Sequence, residues 1–115
     1  ENGNVPSMSA LGGFYYHGVG APPDKATAAK YWEAAATAGD LHAQKNIAQM
    51  YLAGDGVPQD KSKFAHFIKL AAERGDAESL YNLGLAYERG DGIPQNAELA
   101  AQCFKKAAEL GFKQP

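Results

Sequence analysis

The chain has 115 residues, with 11 basic and 13 acidic side chains and a net charge of −2 at neutral pH. This length suits one domain with a real core, and no apolar run approaches the ~20 residues of a membrane span. The lysines are interleaved with acidic residues and alanines, which predicts a solvated face and argues against nucleic-acid binding. The single cysteine, Cys103, excludes an internal disulfide.

A 36-residue period runs through the whole chain. Tyr15, Tyr51 and Tyr87 lie on this period, together with glycines, prolines and alanine pairs. A period of this length predicts a stacked array of one supersecondary unit, which is typical of surfaces that hold partner proteins. We therefore predict a single repeat domain over residues 1–115, with repeats at about 4–39, 40–75 and 76–111.

Each repeat predicts two short helices joined by a tight turn. In the third repeat, Leu80, Leu83 and Tyr87 lie on one helical face. Asp76 suits the N-cap before this helix, and Gly90 suits its end. The same pattern predicts N-caps at Asp24, Asp40, Asp60 and Asn96, and a helix end at Gly111. The predicted helices are 5–17, 24–38, 41–53, 60–74, 77–89 and 96–110, so the fold class is all-α, an α-α superhelix (solenoid) of three helix-turn-helix repeats.

Small residues recur where the two helices of a repeat are expected to cross. Gly12, Ala48 and Gly84 mark the first helices, and the alanine pairs at 35–36, 71–72 and 107–108 are predicted to face them. Large side chains are then expected to fill the spaces between repeats. These are Tyr15, Tyr51, Tyr87, Trp32, Ile68, Phe104, Tyr31 and Phe67, with Cys103 at an equivalent core position.

The repeated motifs resemble a known family. Leu83-Gly84, Tyr87 and Gly90-Asp91-Gly92-Ile93-Pro94 in the third repeat, and Gly54-Asp55-Gly56-Val57-Pro58-Gln59-Asp60 in the second, are similar to the pattern of the Sel-1-like repeat, a relative of the tetratricopeptide repeat. The first repeat departs from the pattern at Ala21 and Pro22-Pro23. The opening stretch from Glu1 to Ser7 is also weak for a helix, since it contains Pro6.

The resemblance implies a protein–protein interaction module, a scaffold or adaptor, in a bacterial protein that is periplasmic or secreted. One alternative is an architectural segment of a longer repeat protein whose partner sites lie elsewhere. A distant alternative is a hydrolase of β-lactamase-like type, although no serine here is followed by lysine three residues later.

The sequence predicts no catalytic residue, no cofactor and no metal site. His17 and His42 fall near opposite ends of their helices, too far apart for one ion, and His66 occupies an exposed position. The Gly-x-Gly turns follow helices instead of strands and lack the rest of a phosphate-binding motif.

The partner surface is predicted on the first helices, which line the concave side of such arrays. Tyr16 and Leu52 are apolar at one shared position, either as part of a peptide groove or as packing against the next hairpin. The last repeat leaves Phe104, Leu110 and Phe112 uncovered, so self-association through this end is a further expectation. The candidate partner-binding residues are Tyr16, His17, His42, Lys45, Gln49, Leu52, Glu78, Tyr81, Leu85, Glu88 and Arg89.

Overall fold

The computed structural model describes residues 5–113, which contain six α-helices and no strand. The second helix of each repeat is one residue shorter at each end than predicted, and in α2 and α6 these end residues are the caps. Residues 1–4 of the predicted opening stretch lie outside the described part, and the first helix includes position 6 in its first turn, where the fixed φ of proline is tolerated. The helices are α1 Val5–His17, α2 Lys25–Thr37, α3 Leu41–Ala53, α4 Lys61–Glu73, α5 Ala77–Arg89 and α6 Ala97–Glu109.

Side-chain caps define where the helices begin. The carboxylates of Asp24, Asp40 and Asp76 accept hydrogen bonds from backbone N–H groups in the first turns of α2, α3 and α5. The amide oxygen of Asn96 does the same for α6. Each cap satisfies a backbone donor that has no partner within its helix, so these four predictions are confirmed.

The turns inside each repeat share one backbone hydrogen bond. The N–H groups of Asp24, Asp60 and Asn96 donate to the carbonyls of Tyr15, Tyr51 and Tyr87, at 2.8, 2.9 and 2.9 Å. In the second and third repeats the first helix ends on a glycine in the left-handed conformation, with φ of 70° and 71°. The backbone at these three positions therefore closes the turn, a role that does not require the tyrosine side chain.

The chain divides into two compact units, residues 1–60 and residues 61–115. In the first unit, α2 packs against α1 and α3; in the second, α5 packs against α4 and α6. Ile47 and Ile68 are the largest apolar side chains that are completely buried. Each unit thus contains one junction between consecutive repeats, α2 with α3 and α4 with α5.

The close approach inside a repeat is made by an aromatic ring and a glycine. A Cβ atom on Gly12 would overlap the indole ring of Trp32, and one on Gly84 would lie 2.6 Å from the ring of Phe104. The indole N–H of Trp32 also donates to the carbonyl of Ser9, at 3.0 Å. The prediction that alanine pairs face these glycines is therefore corrected: the ring of the second helix fills the space that the missing side chain leaves.

This arrangement gives opposite effects for two neighbouring glycines of α1. Gly12→Ala should destabilise the protein by about 1–3 kcal/mol, because the Trp32 ring must move. Gly13→Ala should stabilise it by about 0.5–1 kcal/mol, since no atom lies within 4 Å of the added methyl group and alanine is the better helix former. Urea unfolding of both variants measures the difference. Equal effects would contradict the close contact at Trp32.

The junctions between repeats depend on the second glycine of the Gly-x-Gly turns in the second and third repeats. A Cβ atom on Gly56 would lie 2.7 Å from the Cβ of Lys25, the first residue of α2. A Cβ atom on Gly92 would overlap the carbonyl of Lys61, the first residue of α4. The aspartate between the glycines pairs with the same lysine, Asp55 with Lys25 at 3.1 Å and Asp91 with Lys61 at 3.6 Å.

Gly20 provides a matched control for this contact. Gly20 and Gly56 have similar φ angles of 77° and 80°, but only at Gly56 would an added methyl group meet other atoms within 4 Å. Gly20→Ala should cost about 1–2 kcal/mol from backbone strain alone. Gly56→Ala should cost a further ~1–3 kcal/mol, because it separates the turn from α2. Denaturant midpoints that fall equally for the two variants would show that φ alone matters.

Candidate functional site

An open cleft of about 350 Å³ lies in the first unit, between the end of α1 and α3. Residues of α3 at positions i, i+3, i+4 and i+7 form one wall, which is the spacing of a single helical face. The end of α1, one residue of α2 and the Gly-x-Gly turn that follows α3 complete the lining. The lining residues are Tyr16, His17, Trp32, Asn46, Gln49, Met50, Ala53 and Asp55.

The α3 wall presents two exposed amides beside a buried apolar residue. Asn46 and Gln49 are exposed, whereas Met50 is buried. An amide side chain carries both donors and an acceptor, so it can match the N–H and C=O groups of a peptide bond. This wall can therefore hydrogen-bond to an extended backbone without requiring a charged ligand.

Tyr16 connects the two sides of the cleft. Its hydroxyl donates a hydrogen bond of 2.8 Å to Asp55, and its ring lies 5.2 Å from the Trp32 ring, centroid to centroid. The ammonium of Lys25 stands 5.0 Å from the centroid of the Tyr16 ring and also pairs with Asp55. The Tyr16 hydroxyl thus contacts the next repeat, and Tyr16 also lines the cleft.

The contacts among Tyr16, Lys25 and Asp55 shift the pKa values of these side chains. Hydrogen bonds from Tyr16 and then Lys25 hold the pKa of Asp55 below its ordinary value of 3.8. The same hydrogen bond raises the pKa of Tyr16, with burial as the next cause. The aspartate is thus ionised, and the tyrosine protonated, over a wide pH range around neutrality.

The lowered pKa of Asp55 makes stability depend on acid pH. A carboxyl group whose pKa is lower in the folded state stabilises that state above 3.8, the pKa of the unfolded chain, and this stability is lost as pH falls through the folded-state pKa. The melting temperature of Asp55→Asn should therefore fall less steeply than that of the wild type below about pH 4. Tyr16→Phe, which removes the largest cause, should show part of the same change. Parallel melting curves of all three proteins would contradict the coupling.

The structure separates the predicted site residues into groups. In the first unit, Tyr16, His17 and Gln49 line the cleft, whereas His42, Lys45 and Leu52 are not among its lining residues. In the second unit, the Tyr81 ring lies 5.5 Å from the Phe104 ring and 4.9 Å from the Phe112 ring. A second cleft of about 470 Å³ in this unit is lined by Ala72, Glu73, Gly75, Leu80, Lys106, Glu109 and Leu110, and includes none of Glu78, Tyr81, Leu85, Glu88 and Arg89.

Sequence reasoning misses four lining residues of the first cleft besides Trp32. Asn46, Met50 and Ala53 share an α3 face with Gln49, and the recurrence of asparagine at Asn82 is a usable signal. The sequence indicates Asp55 only as part of a turn. Its side chain reaches Tyr16 because the turn packs on α2, which no pattern within one repeat reveals.

Metal and thiol chemistry find no support in the part of the chain that the structure describes. No group of three or more His, Cys, Asp and Glu side chains converges there on a common point. Cys103 is buried, and burial raises the pKa of its thiol, which disfavours the reactive thiolate. Over residues 5–113, the helices are too short and too polar for any of them to span a bilayer.

The fold and the repeated junctions define an α-helical repeat protein. The family model of the Sel1 repeat matches residues 5–40, 41–76 and 77–112. The chain therefore belongs to the Sel1 repeat family, and its fold is the all-α solenoid of that family. Sel1 repeats generally serve as protein–protein interaction modules and form a non-enzymatic repeat fold, so the hydrolase alternative has no support.

Three solved structures illustrate the similarity. The protective antigen c5321 of uropathogenic Escherichia coli, which displays an SLR fold, is 37% identical, with a TM-score of 0.87 over 96% of this chain and 24% of its own. A Sel1 repeat protein from Oxalobacter formigenes is 32% identical, with a TM-score of 0.86 over 96% of this chain and 84% of its own. Cysteine-rich protein B of Helicobacter pylori is 25% identical, with a TM-score of 0.72 over 77% of this chain and 67% of its own. A search of curated proteins returned no significant match.

Proposed function

We propose that this chain is a protein-binding module that holds an extended peptide segment of its partner in the cleft between α1 and α3. The observation that carries this proposal is the pair of exposed amides, Asn46 and Gln49, on one wall of a cleft of about 350 Å³. The volume lies within the range of known ligand sites.

The two walls have different tasks in this proposal. Asn46 and Gln49 hydrogen-bond to the backbone of the bound segment, which gives affinity for many sequences. The exposed His17 and the ring of Tyr16 contact one side chain of that segment and select among sequences. Because Asp55 is already paired with Lys25 and Tyr16, the cleft has no strong preference for a charged ligand.

The other first-helix candidates extend the proposed surface beyond the cleft. They carry the polar, aromatic and aliphatic groups that are common at protein interfaces. These residues are His42, Lys45, Leu52, Glu78, Tyr81, Leu85, Glu88 and Arg89.

A displayed library of random peptides tests this proposal, because it samples many side-chain sequences on one kind of backbone. Peptides are selected on the 115-residue protein, and their affinities are then measured for Asn46→Ala/Gln49→Ala. Loss of both amides should weaken binding at least about tenfold, equivalent to about 1.4 kcal/mol, because backbone groups of the peptide lose their partners. Far-UV circular dichroism should remain unchanged, since both side chains are exposed.

Lys30→Ala is the matched control, because Lys30 is exposed on α2 and lies outside the cleft lining. Its affinity for the selected peptides should equal that of the wild type. If the lysine variant loses binding and the amide variant retains it, the cleft is the wrong site. A library that yields no binder at all favours the architectural alternative, in which partner sites lie in other parts of a longer protein.

A further inference from the structure

The first helices of the second and third repeats bury an apolar face. On α3, Ile47 and Met50 are 0% and 3% exposed. The equivalent residues of α5, Leu83 and Ala86, are also buried. Both helices pack on the second helix of the preceding repeat, α3 on α2 and α5 on α4, and α5 packs on α6 as well.

The same positions are exposed on α1. Leu11 stands one period before Ile47, and Phe14 one period before Met50, yet they are 40% and 45% exposed. In the turn that follows, Val19 is 64% exposed. A group of three large apolar side chains therefore lies open on the first repeat.

The helix α6 carries the complementary surface. Ala29 and Ala36 of α2 are buried, and so are their equivalents Ala65 and Ala72 of α4. One period later, Ala101 and Ala108 of α6 are exposed, and Leu110 beside them is 56% exposed. The third repeat thus offers the kind of surface that a first helix covers at the two inner junctions.

The polar pair of the inner junctions is replaced by apolar residues at both open surfaces. Asp55 pairs with Lys25, and Asp91 pairs with Lys61. The residue equivalent to these aspartates in the first repeat is Val19. The residue equivalent to these lysines in the third repeat is Ala97.

The presence of Ala97 in place of a lysine determines which kind of turn can pack on α6. A turn with aspartate, as in the second and third repeats, would place a carboxylate against Ala97 and leave it without its lysine, which costs free energy. The turn at 18–20 places Val19 there instead, so apolar meets apolar. Gly20 occupies the same position as Gly56 and Gly92, so this turn keeps the glycine that permits close approach. Within the described part of this chain, no atom is near enough to meet a side chain placed at Gly20.

We propose that a second copy of this chain docks head to tail, with its α1 and its 18–20 turn on α6 of the first copy. The contact repeats the inner junction, with Leu11 and Phe14 in the places of Ile47 and Met50, and with Val19 against Ala97. The interface is heterologous, so each copy keeps one open surface and assembly continues beyond the dimer. This proposal is independent of the peptide cleft.

Sedimentation velocity of the full 115-residue protein tests the assembly. The weight-average mass should rise steadily with concentration from micromolar to millimolar, without a plateau at twice the monomer mass of 12.2 kDa. Leu11→Glu removes the α1 surface and Ala101→Glu removes the α6 surface. Each variant alone should be monomeric, and circular dichroism checks that its helices remain.

Mixing the two variants provides the decisive observation. Leu11→Glu retains the α6 surface, and Ala101→Glu retains the α1 surface, so an equimolar mixture should form a dimer and stop there. Val19→Asp should weaken self-association, and Val19→Asp/Ala97→Lys should restore it by recreating the pair found at Asp55 and Lys25.

Three results would overturn the proposal. The first is a wild-type protein that stays monomeric at millimolar concentration, as expected if these surfaces are covered only by neighbouring repeats of a longer chain. The second is a Leu11→Glu variant that still dimerises through α6, which would indicate a two-fold symmetric contact. The third is a mixture of the two variants that remains monomeric while the wild type assembles.

Discussion

The contact on which this protein depends is the approach of a turn glycine to the first residue of the preceding second helix. Gly56 lies against Lys25 and Gly92 against Lys61, at separations that leave no room for a Cβ atom. Any larger residue would move the whole turn, and the first helix before it, away from its neighbour. The second repeat supplies both a glycine, Gly56, and a helix start that receives the next one, Lys61, so the spacing between these two residues is constrained. The unbroken 36-residue period is the consequence of this requirement.

The local rules of helix formation are readable from the sequence. Aspartate and asparagine caps, glycine ends and apolar spacing lead to helix bounds within one residue of those observed, because each of these signals acts over one turn. The sequence also shows which small residue of the first helix faces which large residue of the second helix. The alanine pairs, however, led to a wrong interpretation of this contact. Glycine stands at 12 and 84 where an aromatic residue stands at 32 and 104, whereas the middle repeat has Ala48 and Ile68. This correlation indicates a ring that fits against a glycine, and it contains more information than the alanine pairs.

The candidate site is only partly predictable for a physical reason. Tyr16, His17 and Gln49 can be identified because they are first-helix positions that the repeat pattern leaves open. Asp55 cannot, because its orientation results from contacts with Tyr16 and Lys25 in another repeat. Such contacts depend on the angle between neighbouring repeats, and a pattern within one repeat contains no record of that angle. The same limit explains why Tyr16 proves to be part of the junction as well as of the cleft.

The position of Trp32 also has a practical consequence. It is the single tryptophan of the chain. In the first hairpin its indole ring packs against Gly12, and its N–H donates a hydrogen bond to the carbonyl of Ser9. Intrinsic fluorescence therefore reports when the first hairpin opens and is silent about the third. Far-UV ellipticity averages all six helices. An array held together by nearest-neighbour contacts can lose a terminal repeat before the rest unfolds. The difference between the unfolding midpoints seen by fluorescence and by ellipticity therefore measures how strongly neighbouring repeats are coupled.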